Sequence, residues 1–292
     1  MQIVGTTKLL GVIGDPVKHS FSPLMHNAAI AELGADFAYL AFPIKAADLK
    51  TALDGFRAID LKGFSITIPH KQAIMEHLEA IAPEAHMVGA VNTVWQTETG
   101  WQGTNTDVAG FIAPLKTLDK DWSNITPVIL GNGGAARAVV VGCHQLGCPE
   151  IHVVGRNPEK LKTFAESWQG TPLESKLKTH LWEDLSTLIP NTKFLVNSTP
   201  VGMHPNVGIS PVIPELMQSL AADSIAYDLI YTPSPTEFLK LAQNQGATIF
   251  DGLEMLVQQG AIALEKWLGQ PVPVNTMRNA LLQHLESKKK SA

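Results

Sequence analysis

Short apolar runs alternate with longer amphipathic segments along most of the chain. In its first part, the runs KLLGVIG (8–14), AYLAFP (38–43) and GFSITI (63–68) predict buried strands, and the segments between them have helical length and spacing. The first helix is expected to have Ser22 as its N-cap and Pro23 at its first helical position. This alternation predicts an α/β fold.

The pattern changes after the third strand. A further helix is expected to open at Pro69 and to end near Ile81. The segments VNTVWQ (91–96) and WQGT (101–104) then flank the polar turn TETG (97–100), and this arrangement predicts a β-hairpin.

A second alternation of strands and helices begins near residue 127. The spacing of its apolar runs leaves room for a crossover helix between them, which favours a parallel sheet covered on both faces. A long helix over 251–269 and a last helix over 274–286 follow. Strands of this second sheet are expected at 127–130, 151–154, 194–198, 225–229 and 248–250.

Composition narrows the class of protein. With 45% hydrophobic and 17% charged residues among 292, the chain has the make-up of a globular protein and the length of two domains. A net charge of −5 predicts no basic surface for nucleic acid or membrane. Cys143 and Cys148 cannot build a disulfide framework or a zinc site, and no signal or membrane span is evident, so we expect a metal-free cytoplasmic protein. A homodimer is compatible with the sequence, which leaves the oligomeric state open.

A glycine-rich turn joins the first strand of the second alternation to a helical pattern. Gly131, Gly133 and Ala136 match the dinucleotide fingerprint G-x-G-x-x-A. The first glycine permits the tight turn, the second lets the backbone approach a pyrophosphate, and the helix N-terminus supplies free N–H groups. A glycine turn without a ligand is the alternative, but the flanking strands favour a nucleotide.

Arg156 follows the next strand, about 20 residues beyond the fingerprint, in the stretch VGRNPEK (154–160). An acidic residue here would bind the adenosine ribose hydroxyls and repel a 2′-phosphate, whereas arginine offers a fork of donors to phosphate. The stretch therefore predicts NADP rather than NAD. The alternative is a surface arginine near the start of a helix.

Polar residues follow the strands of the first half, where ligands collect in open α/β sheets. Lys71 would lie in a first helical turn, where the helix dipole disfavours an ammonium ion, and Asp107 follows the hairpin, so the two form a candidate proton relay. Each residue also has an ordinary role as a cap, turn or solvated residue, and their joint occurrence favours a site. The other members are Ser20, Ser22, Thr67 and Asn92.

Together with these residues, eight segments resemble the shikimate dehydrogenase family, from about residue 8 to residue 270. The resemblance implies an N-terminal open α/β substrate domain, 1–107 plus 253–292, and a Rossmann-type doubly wound parallel sheet that binds NADP, 108–252. The segments are GDPVKHSFSPLMHN (14–27), GFSITIPHK (63–71), GAVNT (89–93), GTNTD (103–107), GNGGAAR (131–137), NSTPVGM (197–203), YDLIY (227–231) and DGLEMLVQQGA (251–261).

The resemblance also implies roles for residues of the substrate site. Ser20 and Ser22 would hydrogen-bond the substrate carboxylate, and Lys71 would be the acid–base group with Asp107 beside it. Tyr231 would approach the substrate. The ring hydroxyls would be held by Thr67, Lys71, Asn92, Asp107 and Gln259.

The implied cofactor site departs from the family pattern at one place. The phosphate segment often reads Asn-Arg-Thr in the family, whereas here it reads Gly155-Arg156-Asn157. Leu229 and Gly252 would lie by the nicotinamide. NADP would be held by Gly131, Asn132, Gly133, Gly134, Ala135, Gly155, Arg156, Asn157, Pro158, Glu159 and Lys160.

The reaction that the resemblance implies is the reversible, NADP-linked reduction of 3-dehydroshikimate to shikimate, in the pathway to chorismate and the aromatic amino acids. Two alternatives stay open. One is a quinate/shikimate dehydrogenase that accepts NAD and a substrate with an extra ring hydroxyl. The other is a non-catalytic, NADP-responsive binding protein, against which the presence of Lys71 and Asp107 argues.

Overall fold

The computed structural model of the protein describes residues 2–291. The chain divides into two compact units, one with the residues up to Gly110 and from Leu256 onward, the other Phe111–Met255. In the described part of the chain, no helix is both long and apolar enough to cross a membrane. Cys143 and Cys148 are buried and have free thiols.

The first unit is built on a six-stranded mixed sheet. The three apolar runs form parallel strands, and the hairpin adds two antiparallel ones. The strands are β1 (Lys8–Gly14), β2 (Phe37–Pro43), β3 (Gly63–Ile66), β4 (Ala80–Ile81), β5 (Thr93–Gln96) and β6 (Trp101–Thr104).

The strands of this sheet lie in the order β2-β1-β3-β5-β6-β4. Ile13 of β1 pairs with Ile66 of β3 in parallel register. The loops that carry Ser20 and Thr67 therefore leave the same edge of the sheet. The helices that precede the second sheet are α1 (Ser22–Glu32), α2 (Leu49–Ala58), α3 (His70–Ala73), α4 (Pro83–Val88) and α5 (Asp107–Leu115).

The start of α1 differs from the prediction. Phe21 occupies the N-cap position without a side-chain hydrogen bond, and Ser22 is the first helical residue. The Ser22 backbone N–H donates to Ser20 Oγ at 3.3 Å. The prediction that Ser22 caps the helix is therefore wrong, because the Ser20 hydroxyl satisfies one of the free N–H groups at the helix start.

The helix predicted to open at Pro69 is much shorter than expected. Pro69 is its N-cap, and α3 has four residues before the backbone tightens into a 3₁₀ turn. Leu78 is then extended, and the Glu79 N–H donates to the Trp101 carbonyl at 2.8 Å, which places β4 beside β6. Pairing with the sheet overrides the helical spacing of this segment, so the predicted end near Ile81 is wrong.

Six parallel strands form the sheet of the second unit. Five match predicted runs. The sixth, LKTHL, escaped prediction because it is an edge strand of mixed polarity. The strands are β7 (Pro127–Leu130), β8 (Ile151–Gly155), β9 (Leu177–Leu181), β10 (Phe194–Asn197), β11 (Ile225–Asp228) and β12 (Thr248–Phe250).

The order β9-β8-β7-β10-β11-β12 is the strand order of a Rossmann fold. The predicted doubly wound parallel sheet is thus confirmed. Its strand order reverses between β7 and β10, which is where ligands bind in such sheets. The helices of this unit are α6 (Gly134–Leu146), α7 (Pro158–Glu166), α8 (Leu185–Leu188), α9 (Pro214–Met217) and α10 (Glu237–Asn244).

Two helices follow the second sheet. The long helix α11 (Leu253–Leu268) has close to its predicted bounds, and α12 (Val274–Ser291) continues past its predicted end at Glu286. Thr276 of α12 donates to the Glu32 carboxylate at the end of α1. The C-terminal helix is thereby anchored within the first unit.

Candidate active site

Lys71 and Asp107 contact each other in the first unit. Lys71 lies in α3, after β3, and Asp107 is the first residue of α5, after β6. The Lys71 Nζ atom is 2.5 Å from Asp107 Oδ2, and the two side chains are only 22% and 10% exposed. This partly buried ion pair orients the ammonium and the carboxylate toward each other, as a proton relay requires.

The helix that carries Lys71 is too short for its dipole to affect the ammonium strongly. Because α3 has only four residues, its dipole is small. The charge that faces the Lys71 ammonium is the Asp107 carboxylate. The electrostatic environment of Lys71 is therefore set by the ion pair rather than by the helix.

Asn92 holds the other oxygen of the Asp107 carboxylate. Its Nδ2 donates to Asp107 Oδ1 at 2.8 Å and to Thr106 Oγ1 at 3.0 Å. Its Oδ1 accepts from the Thr106 N–H at 2.8 Å and from Thr93 Oγ1 at 2.9 Å. Asn92 is thus fixed from both ends of its amide, and Asp107 keeps one oxygen for Lys71.

The backbone around Asn92 is tied to the neighbouring strands. The Ile66 N–H donates to the Asn92 carbonyl at 2.8 Å, and the Asn92 N–H donates to the Thr104 carbonyl at 3.1 Å. The Val91 N–H donates to the Lys71 carbonyl at 2.7 Å. These bonds bring the ends of β3 and β6 to the same place, which explains why residues far apart in sequence form one site.

Gln259 reaches this network from α11. Its Oε1 accepts from Asn92 Nδ2 at 3.4 Å, and its Nε2 donates to the Leu256 carbonyl at 2.8 Å. Four of the predicted substrate residues, Lys71, Asn92, Asp107 and Gln259, therefore form one hydrogen-bonded cluster.

Ser20, Ser22 and Thr67 lie at the ends of the first parallel strands. Ser22 is buried, whereas Ser20 and Thr67 are half-buried. Thr67 packs so closely on Gly14 that a Cβ at Gly14 would lie 2.4 Å from the Thr67 methyl group. Within residues 2–291, no hydrogen bond joins these three hydroxyls to the Lys71–Asp107 pair, so the structure brings them to the same sheet edge but not into the cluster.

The glycine turn between β7 and α6 has the conformation expected of a nucleotide loop. Gly131 has a φ of +100°, and a Cβ there would lie 2.9 Å from Ser198 Oγ, so glycine is required. Gly133 and Gly134 are exposed, with open space where a Cβ would point. A ligand phosphate can therefore approach the backbone N–H groups at the start of α6.

Arg156 lines a cavity at the carboxyl end of β8. The cavity has a volume of about 260 Å³. No ion pair engages the Arg156 guanidinium in the described part of the chain, so its donors are available to a ligand. The other lining residues are Trp182, Thr199, Val201, Ile209, Ser210 and Pro211.

The two neighbours of Arg156 have structural roles. Asn157 is the N-cap of α7, and its Oδ1 accepts from the Lys160 N–H at 2.9 Å. A Cβ at Gly155 would lie 2.9 Å from Leu161 and 3.2 Å from Asn132 Oδ1. A larger residue at Gly155 would thus press on the helix and on the turn, which gives a physical reason for the departure from the family pattern.

Leu229 and Gly252 lie against each other in the second unit. A Cβ at Gly252 would lie 2.0 Å from the Leu229 carbonyl oxygen, so this position tolerates only glycine. The Gly252 N–H donates to the Ile230 carbonyl at 3.1 Å. Tyr231 is half-buried nearby in sequence, and burial raises the pKa of its phenol.

Two buried polar residues, Thr106 and Asp228, were not predicted from the sequence to have a role. Thr106 lies within the segment GTNTD, but its bonds to both ends of the Asn92 side chain arise only from the fold. Asp228 is fully buried and accepts hydrogen bonds from Asn197 and Thr236. A buried acid at the end of an apolar strand was the available signal for this second residue.

The Rossmann-type sheet with its open glycine turn, and the separate unit with a lysine–carboxylate pair, define a nucleotide-dependent α/β enzyme class. Comparison with known proteins identifies the family. Residues 12–94 match the family model "Shikimate dehydrogenase substrate binding domain" and residues 252–282 the model "Shikimate 5'-dehydrogenase C-terminal domain". The chain belongs to the shikimate dehydrogenase family.

Individual relatives agree with this assignment. The chain is 64% identical to the NADP(+) shikimate dehydrogenase of Microcystis aeruginosa, over 96% of this chain and 98% of the relative. A crystal structure of a shikimate dehydrogenase in complex with NADP+ is 36% identical, covers 97% of each chain and has a TM-score of 0.88. The Listeria monocytogenes shikimate 5-dehydrogenase in complex with shikimate and NAD is 34% identical, covers 96% of this chain and 98% of that one, and has a TM-score of 0.87.

Proposed function

We propose that this protein is an NADP-dependent shikimate dehydrogenase, which reversibly reduces 3-dehydroshikimate to shikimate in the pathway to chorismate and the aromatic amino acids. The observation that carries the proposal is the Lys71–Asp107 ion pair at 2.5 Å, held on its other side by Asn92 at 2.8 Å. Membership in a family whose curated relatives are NADP(+) shikimate dehydrogenases supports the choice of substrate and cofactor.

Lys71 is the acid–base residue of this mechanism. When bound, NADPH supplies the hydride that adds to the ring carbonyl carbon, and NADP+ accepts it in the reverse direction. In the reduction, the Lys71 ammonium donates a proton to the carbonyl oxygen as its charge develops, and the resulting amine regains a proton from solvent. In the oxidation, the neutral Lys71 amine accepts the hydroxyl proton.

Asp107 keeps Lys71 in place and balances its charge. One carboxylate oxygen contacts the ammonium, and the other is held by Asn92, so the pair has little freedom to turn away from the substrate. Each ring hydroxyl of the substrate can both donate and accept a hydrogen bond, so it needs donors and acceptors around it. These are supplied by Thr67, Lys71, Asn92, Asp107 and Gln259. Ser20 and Ser22 hydrogen-bond the carboxylate, and Tyr231 approaches the substrate.

Each of the two proposed domains, whose bounds lie within three residues of those of the two compact units, binds one of the two ligands. The substrate domain, 1–107 plus 253–292, contains the Lys71–Asp107 pair, and the NADP domain, 108–252, contains the open turn at Gly133 and Gly134. The pyrophosphate would be held at the start of α6, and the 2′-phosphate by Arg156 with the backbone of 157–160. Leu229 and Gly252 would lie by the nicotinamide.

The cellular setting is part of the proposal. We place the reaction in the cytoplasm, where a protein with free thiols is stable, and Cys143 and Cys148 are free and buried. Both a monomer and a homodimer would hold the proposed sites within one chain.

The discriminating experiment is an absorbance assay at the nicotinamide band with purified protein. We expect turnover of shikimate with NADP+, at a kcat/KM at least about tenfold above that with NAD+, because Arg156 pairs with the 2′-phosphate. Equal rates with NAD+ and with quinate would favour the dual-cofactor enzyme. No turnover by folded protein that still binds NADP would favour the non-catalytic binding protein.

A further inference from the structure

A buried polar cluster lies beneath the start of α1. It consists of Ser22, His26, Tyr39 and Ser65, which are each 7% exposed or less, and we call it the Tyr39 cluster. Its members come from α1, β2 and β3. Ser22 belongs to the proposed carboxylate site, whereas the mechanism above uses none of the other three.

Tyr39 is held rigidly within this cluster. Its ring stacks on His26, with ring centres 4.1 Å apart and planes 10° from parallel. Asn27 of α1 donates to the Tyr39 carbonyl at 2.8 Å and accepts from the Tyr39 N–H at 2.9 Å. Trp267 packs against the Tyr39 ring with centres 5.9 Å apart. The phenol therefore has one fixed direction.

The same packing connects Tyr39 to Ser22. The His26 Nδ1 bonds to the Ser22 carbonyl at 2.7 Å, so the ring that stacks on Tyr39 also fixes the Ser22 backbone. Burial lowers the pKa of His26 to about 4, and the ring is therefore neutral and donates through Nδ1–H. The cluster holds Ser22 without placing a positive charge under it.

The Tyr39 and Ser65 hydroxyls are fully enclosed and make no hydrogen bond of ordinary length with the described residues. Buried hydroxyls without partners are costly, so such groups usually complete their bonds when a ligand or water arrives. The polar groups that neighbour the Tyr39 hydroxyl include the side chain and backbone of Ser65, which interact with it most strongly, and the side chain of Ser22. Burial also raises the pKa of the Tyr39 phenol, which therefore stays protonated and able to donate.

We propose that Tyr39 is a positioning residue for substrate binding: when the substrate carboxylate engages Ser22, the buried Tyr39 hydroxyl donates to Ser22 Oγ and the Ser22 hydroxyl hydrogen turns toward the carboxylate. A serine hydroxyl has one hydrogen and two acceptor sites. When Tyr39 fills an inner acceptor site, the single hydrogen of Ser22 is directed outward. This inference rests on the proposed function, because it requires the carboxylate of shikimate at Ser22.

Tyr39→Phe tests the inference, with Tyr227→Phe as the matched control. Tyr227 is also fully buried and also has an enclosed hydroxyl without a hydrogen bond, but it lies in β11 of the second unit. Removing an enclosed, unbonded hydroxyl should leave folding intact. We expect Tyr39→Phe to raise the KM for shikimate about five- to twentyfold, with kcat and the KM for NADP+ within about twofold of wild type, because one directed hydrogen bond to a charged group is weakened. Tyr227→Phe should leave all three constants unchanged.

Two further arms show whether Tyr39 acts through Ser22 and the carboxylate. With the methyl ester of shikimate, which lacks the carboxylate charge, Tyr39→Phe and wild type should have the same KM. In a Ser22→Ala background, Tyr39→Phe should cause no additional loss, because the residue that it positions is gone.

Three results would overturn the inference: an unchanged KM for shikimate in Tyr39→Phe, an equal rise with the ester, or an additive loss in the Ser22→Ala background. If wild-type protein does not turn over shikimate at all, the proposed function itself fails, and this is seen before any variant is compared.

Discussion

Asp107 in the first unit and Asp228 in the second are both buried carboxylates near the end of a strand, but they have different partners. Asp107 contacts the Lys71 ammonium at 2.5 Å and Asn92 at 2.8 Å. Asp228 accepts only from uncharged donors among the described residues: Asn197 at 3.0 Å, the Ile230 N–H at 3.0 Å and Thr236 at 2.6 Å. A carboxylate that faces a cation can support proton transfer, whereas one enclosed by neutral donors braces the backbone.

The electrostatics of Asp228 fit a structural role. Burial raises its pKa to about 6, and the hydrogen bonds from Thr236, Ile230 and Asn197 offset only part of this effect. Through these hydrogen bonds, Asp228 connects the turn that follows β11 with the end of β10 and with the start of α10. The two carboxylates are therefore alike in burial and in hydrogen bonding, and differ in that Asp107 alone of the two contacts a cation.

Among the substitutions that test this comparison, Asp107→Asn should have the largest effect on activity. The amide keeps the shape of the side chain but removes the charge that faces Lys71, so kcat for shikimate should fall about 10²- to 10³-fold while the fold is retained. Steady-state kinetics with NADP+ measure this change. Asp228→Asn is the control, and its kcat per folded molecule should stay within about threefold of wild type. Similar losses of kcat in both variants would break the comparison.

The pH dependence of stability should differ in sign between the two units. His26 has a pKa of about 4 when folded and 6.5 when unfolded. The unfolded chain therefore binds a proton that the folded chain does not, and the His26 contribution is complete above pH 6.5 and is lost as the pH falls toward 4. Asp228 has a pKa of about 6 when folded and 3.8 when unfolded, so its contribution is complete below pH 3.8 and is lost as the pH rises through 6.

Urea titrations of wild type, His26→Gln and Asp228→Asn at several pH values test this prediction. Over the pH range of its own titration, each variant should differ from wild type in the pH-dependent part of the unfolding free energy by up to about 3 kcal/mol, with opposite signs. Parallel pH profiles for the three proteins would show that neither group has the assigned shift.

Arg156→Ala should weaken the binding of NADP selectively. The KM for NADP+ should rise about ten- to thirtyfold because the 2′-phosphate loses its charged partner, while the KM for NAD+ stays within about twofold. Arg57→Ala, at an exposed arginine in α2 of the first unit, is the control and should change neither constant. Equal losses for both cofactors would refute the phosphate role of Arg156.

Asn157→Ala should have the smallest effect. Loss of the Asn157 bond to the Lys160 N–H removes the cap of α7 and should lower the unfolding free energy by about 1 kcal/mol. Asn157→Thr retains a capping oxygen and should be close to wild type. Thermal unfolding of both variants measures the difference. Equal stability of the alanine and threonine variants would show that the cap contributes nothing.

The parts of the fold that were predicted correctly have local causes. The Rossmann sheet follows from apolar runs and from a glycine turn whose φ of +100° at Gly131 suits glycine alone. By contrast, β4 forms because Glu79 bonds to Trp101, which comes later in the chain. That pairing leaves no mark on the local pattern, so a helix was predicted there.

In the candidate site too, local sequence indicates some features and only the tertiary structure explains the others. The residue types and their places after strands indicated Lys71, Asn92 and Asp107, but the contact between Lys71 and Asp107 spans 36 residues and depends on how β3 and β6 are arranged. Asp228 bonds to Asn197, 31 residues away in sequence, and to Thr236, 8 residues away. No rule of sequence spacing indicates these hydrogen bonds. Tertiary contacts, rather than residue types, distinguish the carboxylate that contacts a lysine from the one that contacts only neutral donors.

The rate of Lys71→Ala with shikimate and NADP+ tests the central claim most directly. Lys62→Ala is the matched control, because the Lys62 ammonium also lies 2.5 Å from a carboxylate in the same unit, that of Asp60, which is 67% exposed whereas Asp107 is 10% exposed. We predict that Lys71→Ala lowers kcat about 10²-fold or more with substrate binding largely intact, while Lys62→Ala turns over like wild type. Near-wild-type turnover by folded Lys71→Ala would contradict the account.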